Sequence, residues 1–283
     1  MFGVNRQVYY RKIKAKAKQQ SRAAQVVKLI VPIRARMPRI GTRKLYYLLQ
    51  KPLEELGVGR DKLFSILKAN HILIRSKKNY RVTTNTHHRF HKHKDLVCQL
   101  TIHRPEQVWV SDITYVDAGL NNTYLALITD AYSKKIVGYD LSNSLNTKGV
   151  LRALQMAVKN RKYSKENLIH HSDKGIQYCS NEYQQALSKN NICCSMTEKY
   201  DPYSNAVAER VNGIIKNEFN LETYRVNINV MKELVSETIK IYNSERPHYS
   251  SHLLTPNQMH QQQTIKMKTY KTKNRSELEL TSV

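Results

Sequence analysis

The hydrophobic positions of residues 42–68 recur at helical spacing. One helix is predicted to begin at Thr42 and another at Asp61, each with a side chain suited to the N-cap. A glycine-containing turn over 55–59 separates them. Their apolar positions are Leu45, Leu48 and Leu49, then Leu63, Phe64 and Leu67. The pattern predicts a helix-turn-helix-like region, although any small helical bundle shows the same spacing.

From residue 107 onward the pattern changes to short runs of β-branched and aromatic residues. It predicts strands over 108–116, 123–130 and 136–141, a helix capped by Thr147, a strand over 167–171, a helix over 181–188 and a strand over 192–196. With a further helix over 205–216, this order is that of the ribonuclease-H-like fold, an α/β class in which helices cover both faces of a mixed sheet.

Charge is distributed unevenly over the 283 residues. The chain carries 47 Lys and Arg against 22 Asp and Glu, a formal net charge of +25. Residues 1–100 hold 24 of these cations and only 4 acids, whereas residues 101–225 are nearly balanced, with 15 and 13. Such an excess is atypical of an enzyme of small metabolites and favours a polyanion as partner. A solubilising tail is the alternative, but the helical spacing of apolar residues argues against it.

The four cysteines, Cys98, Cys179, Cys193 and Cys194, have neither disulfide-framework nor C-x-x-C spacing. The apolar run over 23–33 contains Gln25, Lys28 and Pro32 and is shorter than the ~20 residues that span a bilayer. We therefore expect a cytoplasmic protein without a membrane partner.

A basic stretch over 75–94 contains four histidines, which could suggest zinc: His87, His88, His91 and His93. No cysteine pair follows at zinc-finger spacing, and the neighbouring Lys and Arg would repel a cation. A solvated, extended segment that follows phosphates is favoured.

Three carboxylates are candidates for a metal centre. Asp112 lies within a strand, on the face that carries Val108 and Val110, where an unpaired acid is costly. Asp173 ends the predicted fourth strand, which neighbours the first in this topology. Glu209 shares one helix face with Asn205, Asn212 and Lys216, opposite Val207, Val211, Ile214 and Ile215. Glu218 is a competitor that falls beside the apolar stripe.

Together these acids form an oxygen-ligand set suited to Mg²⁺ or Mn²⁺. Two such ions about 3.5–4 Å apart would support in-line phosphoryl transfer. Each acid taken singly could equally be a surface carboxylate, so the prediction depends on all three.

Four motifs strengthen this interpretation. They are Q-V-W-V-S-D-I-T-Y over 107–115, H-S-D-K-G-I-Q-Y over 171–178, N-A-V-A-E over 205–209 and Y-N-S-E-R-P-H over 242–248. With 60 residues between Asp112 and Asp173 and 35 between Asp173 and Glu209, the chain resembles the second-reading-frame (OrfB) transposases of the third insertion-sequence family, over roughly residues 8–262.

The resemblance implies an integrase catalytic core in which Asp112, Asp173 and Glu209 hold the metal ions and catalyse the reaction. It also implies that Lys216 contacts DNA, while Trp109 and Gln177 support the site. From their charge and position, further DNA contacts are expected at Arg43, Lys44, Arg60, Lys62 and Arg210. Expected partners are transposon terminal repeats, target DNA, further copies of the chain on DNA and a first-frame (OrfA) segment.

The predicted organisation is a basic helical DNA-binding region over 1–82, a basic linker over 83–104, the catalytic domain over 105–262 and a polar basic tail over 263–283. The predicted function is metal-dependent cleavage at transposon ends and transfer of the 3′-hydroxyl to target DNA. A catalytically silent DNA-binding regulator is the alternative, and a nuclease acting on RNA–DNA hybrids is a third reading that leaves the basic region without a role.

Overall fold

A mixed sheet of five strands, in the order β3-β2-β1-β4-β5, organises the chain. The computed structural model describes residues 5–74, 93–98, 100–118, 121–197 and 205–268. The strands are β1 (Val108–Ala118), β2 (Asn121–Asp130), β3 (Ile136–Ser142), β4 (Leu168–Ser172) and β5 (Ile192–Met196). The first three form an antiparallel meander, whereas β4 is parallel to β1 and β5 to β4. This sheet confirms the predicted fold class.

Helices surround the sheet and precede it. They are α1 (Arg6–Arg36), α2 (Thr42–Leu48), α3 (Gln50–Glu55), α4 (Arg60–Ala69), α5 (Thr147–Lys159), α6 (Ile176–Cys179), α7 (Asn181–Lys189), α8 (Ala206–Gly213), α9 (Ile228–Glu245) and α10 (Pro256–His260). Helix α8 runs directly into a π-helical turn, Ile214–Glu218, and short 3₁₀ turns occupy Leu221–Thr223 and Tyr249–Ser251.

The predicted helix caps are shifted. Gly41 and Gly59 occupy the N-cap positions of α2 and α4, and neither helix has a side-chain cap. The expectation that Thr42 and Asp61 cap these helices was therefore wrong. Asp61 lies instead in the first turn of α4, where a carboxylate interacts favourably with the helix dipole. Asn146, rather than Thr147, is the N-cap residue of α5.

Three hydrophobic clusters of described residues lie against the sheet, and the smallest joins Val108 and Val110 of β1 to Ala208 of α8. Trp109 is fully buried in a second cluster, with apolar residues of α5 and α7. The third cluster joins α8 and α9 to the N-terminal helices, because Val26 of α1 and Leu45 of α2 belong to the same buried group as Val211 of α8. The N-terminal helical region therefore shares a core with the elements around the sheet.

Some predictions fall on residues outside the described ranges. These are most of the basic stretch, with His87, His88 and His91, and most of the polar tail, from residue 269 onward.

Candidate catalytic site

Asp112 and Asp173 lie beside each other because β1 and β4 are parallel neighbours. The last paired residues of these two strands are Ser111 and Ser172, and each aspartate is the next residue along its chain. Burial first, and then the charge of Asp173, raises the pKa of Asp112 to about 7. The two carboxylates thus lie together where the pairing of β1 with β4 ends, and a bound cation would relieve the repulsion between them.

Asp112 is held in place by two donors. Asn212 of α8 donates through Nδ2 to Asp112 Oδ2 over 2.8 Å, and the Ile113 backbone N–H donates to Oδ1 over 2.9 Å. At the start of the same helix, Asn205 Nδ2 donates to the Ser111 carbonyl over 3.0 Å. Two buried amides therefore fasten α8 to β1 at the carboxylate site.

The oxygen atoms of the same two amides accept no hydrogen bond from the described residues. The Oδ1 atoms of Asn205 and Asn212 are buried and have no hydrogen-bond partner among the described residues. Periodicity placed both residues on the face of Glu209, but the partners of an amide cannot be read from periodicity. These two supports were missed at the level of sequence.

Glu209 lies on the exposed side of α8. Its charge also raises the pKa of Asp112, but as the smallest of the causes. Within the described ranges, no group of three His, Cys, Asp or Glu side chains is close enough to hold a metal ion. The structure thus brings Asp112 and Asp173 together and leaves Glu209 further away, in the first turn of α8.

The loop after β4 supports Asp173. The Gly175 N–H donates to Asp173 Oδ1 over 3.1 Å, and a Cβ at position 175 would lie only 3.0 Å from that oxygen. A larger residue would crowd the carboxylate. Gln177 donates through Nε2 to the Leu145 carbonyl over 2.9 Å, which ties the loop to the segment that precedes α5.

A buried histidine stabilises β1 and β4 beneath the carboxylates. His170 Nε2 lies 2.7 Å from Ser111 Oγ and 2.8 Å from Tyr183 Oη. Burial lowers the pKa of His170 to about 3, so the ring is neutral at physiological pH. Its surroundings are those of a packed core residue, and it adds no charge to the site.

Glu218, the competitor acid, is fully engaged elsewhere. Arg246 donates to its two carboxylate oxygens over 3.0 and 2.8 Å, and Lys44 Nζ lies 3.5 Å from Oε2. The Arg39 N–H also donates to the Glu218 carbonyl over 2.9 Å. We call Glu218, Arg246 and Lys44 the Glu218 cluster, and it joins the N-terminal helices to the end of the helix that carries Glu209.

The 242–248 motif is explained by the same cluster. Tyr242 Oη donates to the Lys134 carbonyl over 2.8 Å, and the Asn243 side chain bonds both backbone groups of Ile136 at the start of β3. Arg246 Nη1 donates to His248 Nε2 over 2.8 Å, and burial lowers the pKa of His248 well below its usual value. The motif is therefore structural in the described residues.

The six predicted DNA contacts divide into two groups. Arg43, Arg60, Lys62 and Arg210 are exposed, although Arg60 also pairs with Asp61. Lys44 is largely buried in the Glu218 cluster, where burial and the charge of Arg246 lower its pKa to about 8. Lys216 Nζ lies 2.8 Å from Glu222 Oε1 and is 19% exposed.

Comparison with known proteins agrees with the fold described above. Residues 102–202 and residues 190–256 match two family models, each described as an integrase core domain. The chain is 34% identical over 259 residues to an uncharacterized 31 kDa protein of insertion element IS600 from Shigella sonnei, which covers 88% of this chain and 92% of that protein. It is 34% identical over 155 residues to transposase InsF for insertion sequence IS3A of Escherichia coli strain K12, covering 54% of each.

A structural relative shares the fold. A chain of the cryo-electron-microscopy structure of the simian T-cell lymphotropic virus intasome, bound to a PP2A regulatory subunit, matches with a TM-score of 0.51 and 19% identity, over 82% of this chain and 78% of that one. In the part of the chain that the structure covers, every helix is too short or too polar to cross a bilayer.

Proposed function

Since the chain belongs to the insertion-sequence transposases with an integrase core, of the second-reading-frame type, we propose that Asp112, Asp173 and Glu209 are its catalytic carboxylates. The protein is a DNA transposase, and the proposal concerns how it performs that reaction. The observation that carries it is the pair formed by Asp112 and Asp173, two acids that lie side by side where the pairing of β1 with β4 ends, with the pKa of Asp112 raised by burial and by the charge of Asp173.

The donor set fits a hard divalent cation. Carboxylate oxygens from Asp112 and Asp173 are the ligands that Mg²⁺ and Mn²⁺ prefer. The pKa of Asp112 is raised first by burial and then by the charge of Asp173, and a cation would offset the second effect. When bound, two such ions would stabilise negative charge on the attacking and departing oxygens of a phosphodiester. Glu209 would complete the set.

The residues of this chain orient that site. Asn212 fixes the rotamer of Asp112 through Oδ2, and Gly175 leaves room for the Asp173 carboxylate while donating to it. Helix α8 carries Glu209 and is pinned to β1 by Asn205, so its distance from the pair is set by buried amides. The exposed Arg210 next to Glu209 is placed to contact a DNA phosphate.

The substrates that we propose are the terminal repeats of the transposon and a target duplex. The net charge of +25, most of it within residues 1–100, favours DNA, and we propose that further copies of the chain act together on it. A first-frame segment remains a proposed partner. No observation favours the catalytically silent regulator.

The test is cleavage and strand transfer on a duplex carrying the element's own end, with Mg²⁺ and the full chain. We expect Asp112→Asn, Asp173→Asn and Glu209→Gln each to lose at least about a hundredfold in rate, because several kcal/mol of charge stabilisation disappear. Binding to the duplex should remain. The matched controls are Asp61→Asn and Glu237→Gln, which remove exposed acids far from the pair.

A second readout is independent of activity. Mg²⁺ should raise the Tm of the wild-type chain and leave that of Asp112→Asn unchanged, since a ligand stabilises only the state that binds it. If the Glu209→Gln chain kept wild-type rates while both aspartate variants lost them, Glu209 would be rejected as the third carboxylate.

A further inference from the structure

The first half of α1 extends away from the remainder of the described residues. All side chains from residue 6 to residue 21 are exposed, and the buried side chains of α1 are Val26 and Ile30, in its second half. A helix without tertiary packing is only marginally stable at this length, since helical stability in proteins comes largely from the packing of an amphipathic face. We therefore expect the exposed half of α1 to be stabilised by packing against another helix or molecule.

A continuous apolar stripe runs along α1 on a face turned away from Val26 and Ile30. Its members alternate at spacings of three and four residues, which is the a/d pattern of a heptad repeat. Gln20 is the single polar position within the repeat. The apolar members are Tyr10, Ile13, Ala17, Ala24, Val27 and Val31. We call this stripe the α1 seam; from Tyr10 to Val31 it is about 32 Å long.

The large residues of the α1 seam face solvent. Tyr10 is 55% exposed, Ile13 47% and Val31 58%. Single exposed apolar residues are ordinary on protein surfaces, but a row at heptad spacing over three repeats is what a second helix packs against. Ala17 and Ala24 leave room for close approach of the two helices.

The charges on α1 define the partner. The helix carries ten Lys and Arg and no acid over 31 residues. Lys14 and Lys28 flank the seam at the e positions and Lys16 at a g position, where interhelical ion pairs set partner choice. A second copy of α1 would bring cations against these cations, so self-pairing is disfavoured. Acidic side chains at the partner's e and g positions would pair with them.

We propose that the α1 seam is a docking surface for an amphipathic helix of another protein, with an apolar heptad stripe of about three repeats flanked by acidic residues. Duplex DNA fits the seam less well, because the seam itself carries no charge. A basic stripe formed by Arg11, Lys18 and Arg22, at b and f positions of the repeat, lies on a different side of α1, so that DNA and a partner helix could bind together.

The experiment uses the full chain and a fluorescent 21-residue peptide with Ile at a, Leu at d and Glu at e and g. Binding is measured by fluorescence anisotropy at about 0.15 M salt, where long-range attraction is screened. A scrambled peptide of identical composition and a peptide with Lys at e and g serve as controls. We expect the heptad peptide to bind at least about tenfold more tightly than either control, a difference of about 1.4 kcal/mol.

The decisive variants are Ala17→Glu and Ala15→Glu. They make the same charge change at two exposed positions two residues apart, the first inside the seam and the second outside it. Ala17→Glu should weaken the heptad peptide at least about tenfold and Ala15→Glu at most about twofold. Slowed hydrogen exchange over residues 6–21 on addition of the peptide would support docking on this half of α1.

Three outcomes would overturn the proposal. Equal weakening by the two variants would mean that net charge alone attracts the peptide. If Ala17→Glu, but not Ala15→Glu, abolished binding to vesicles of anionic phospholipid while the peptide failed to bind, the occupant would be a membrane. The same selective loss with a 30-base-pair duplex would assign the seam to DNA.

Discussion

Asp112 and Glu218 are two shielded carboxylates of one chain, and their surroundings are opposite. Asp112 lies beside Asp173, and the donors that its carboxylate receives among the described residues are neutral ones, Asn212 and a backbone N–H. Glu218 receives two hydrogen bonds from Arg246 and lies beside Lys44. A carboxylate whose charge is left uncompensated is available to a ligand, whereas a compensated one holds structure together.

This difference in surroundings explains why Asp112, which contacts α8, and Glu218, which lies in its continuation, are expected to have different roles. Glu218 lies nine residues after Glu209, at the end of the π-helical turn that continues α8. Its ion pairs with Arg246 and Lys44 anchor this end of the helix, and the amides of Asn205 and Asn212 anchor the other part to β1. The part of α8 near Asp112 is thus held by neutral amides, and the π-helical turn at its other end is held by ion pairs.

The largest expected contrast comes from removing the charge at each acid. Glu218→Gln leaves the buried Arg246, whose side chain is 3% exposed, without a counter-charge, and we expect a loss of about 3–5 kcal/mol in the free energy of unfolding. Asp112→Asn relieves repulsion from Asp173, so its free energy of unfolding should equal or exceed that of the wild type. Urea unfolding at pH 7.5 measures both.

Glu237→Gln is the control for this pair, since it removes an exposed glutamate of α9. If Glu218→Gln and Glu237→Gln lowered the free energy of unfolding by similar amounts, the Glu218 cluster would stabilise the fold no more than an exposed ion pair does. A large stability loss in Asp112→Asn would show that Asp112 is structural, contrary to the comparison.

A smaller change in the free energy of unfolding is expected at a third site, where two buried acids share a histidine. His260 of α10 lies between Glu106 and Asp130, 3.4 Å from Glu106 Oε1 and 3.7 Å from Asp130 Oδ1. Burial opposes its protonation, but the interactions with Asp130 and Glu106 raise the pKa of His260 above its usual value. Burial likewise opposes ionisation of Glu106 and Asp130, yet hydrogen bonds lower the pKa of both.

These shifts fix the sign of a pH dependence. A raised histidine pKa contributes stability that is present below the unfolded pKa and is lost as pH rises through the folded pKa. The lowered pKa values of the two acids contribute stability that is lost as pH falls through those values. We expect His260→Gln to lose about 1–3 kcal/mol at pH 6, because two buried acids lose a charged partner, and less at pH 9. Urea unfolding of both chains across pH 5–9 would show a constant difference if His260 were neutral throughout.

The smallest expected effect is a change in DNA binding, and it distinguishes Lys62 from Lys44. Lys62 is exposed on α4, whereas Lys44 is committed to the Glu218 cluster. Lys62→Ala should weaken binding to the end duplex and lower the slope of log K against log salt by about one, as for the loss of one phosphate contact. Lys44→Met should leave that slope unchanged. A reduced slope in Lys44→Met would mean that the cluster opens when DNA binds.

Several elements were predictable because their signals are local. Runs of β-branched and aromatic residues marked β1 and β2, and the succession of strands and helices predicted the order of the fold. Val108, Val110 and Asp112 occupy every second position of β1, so their side chains point to the sheet face that α8 covers. Trp109 points to the other face. Helix starts were less predictable, because glycine at an N-cap gives no side-chain signal.

The sequence alone determined the charge distribution, the order of the elements and the identity of the candidate acids in β1, after β4 and on the helix that follows β5. Only the tertiary structure decided which donors reach Asp112 and which reach Glu218. Asn212 reaches Asp112 across 100 residues of chain, and Arg246 reaches Glu218 across 28. A carboxylate's role depends on which donors come within about 3 Å of it, and those distances are set by packing rather than by any local pattern.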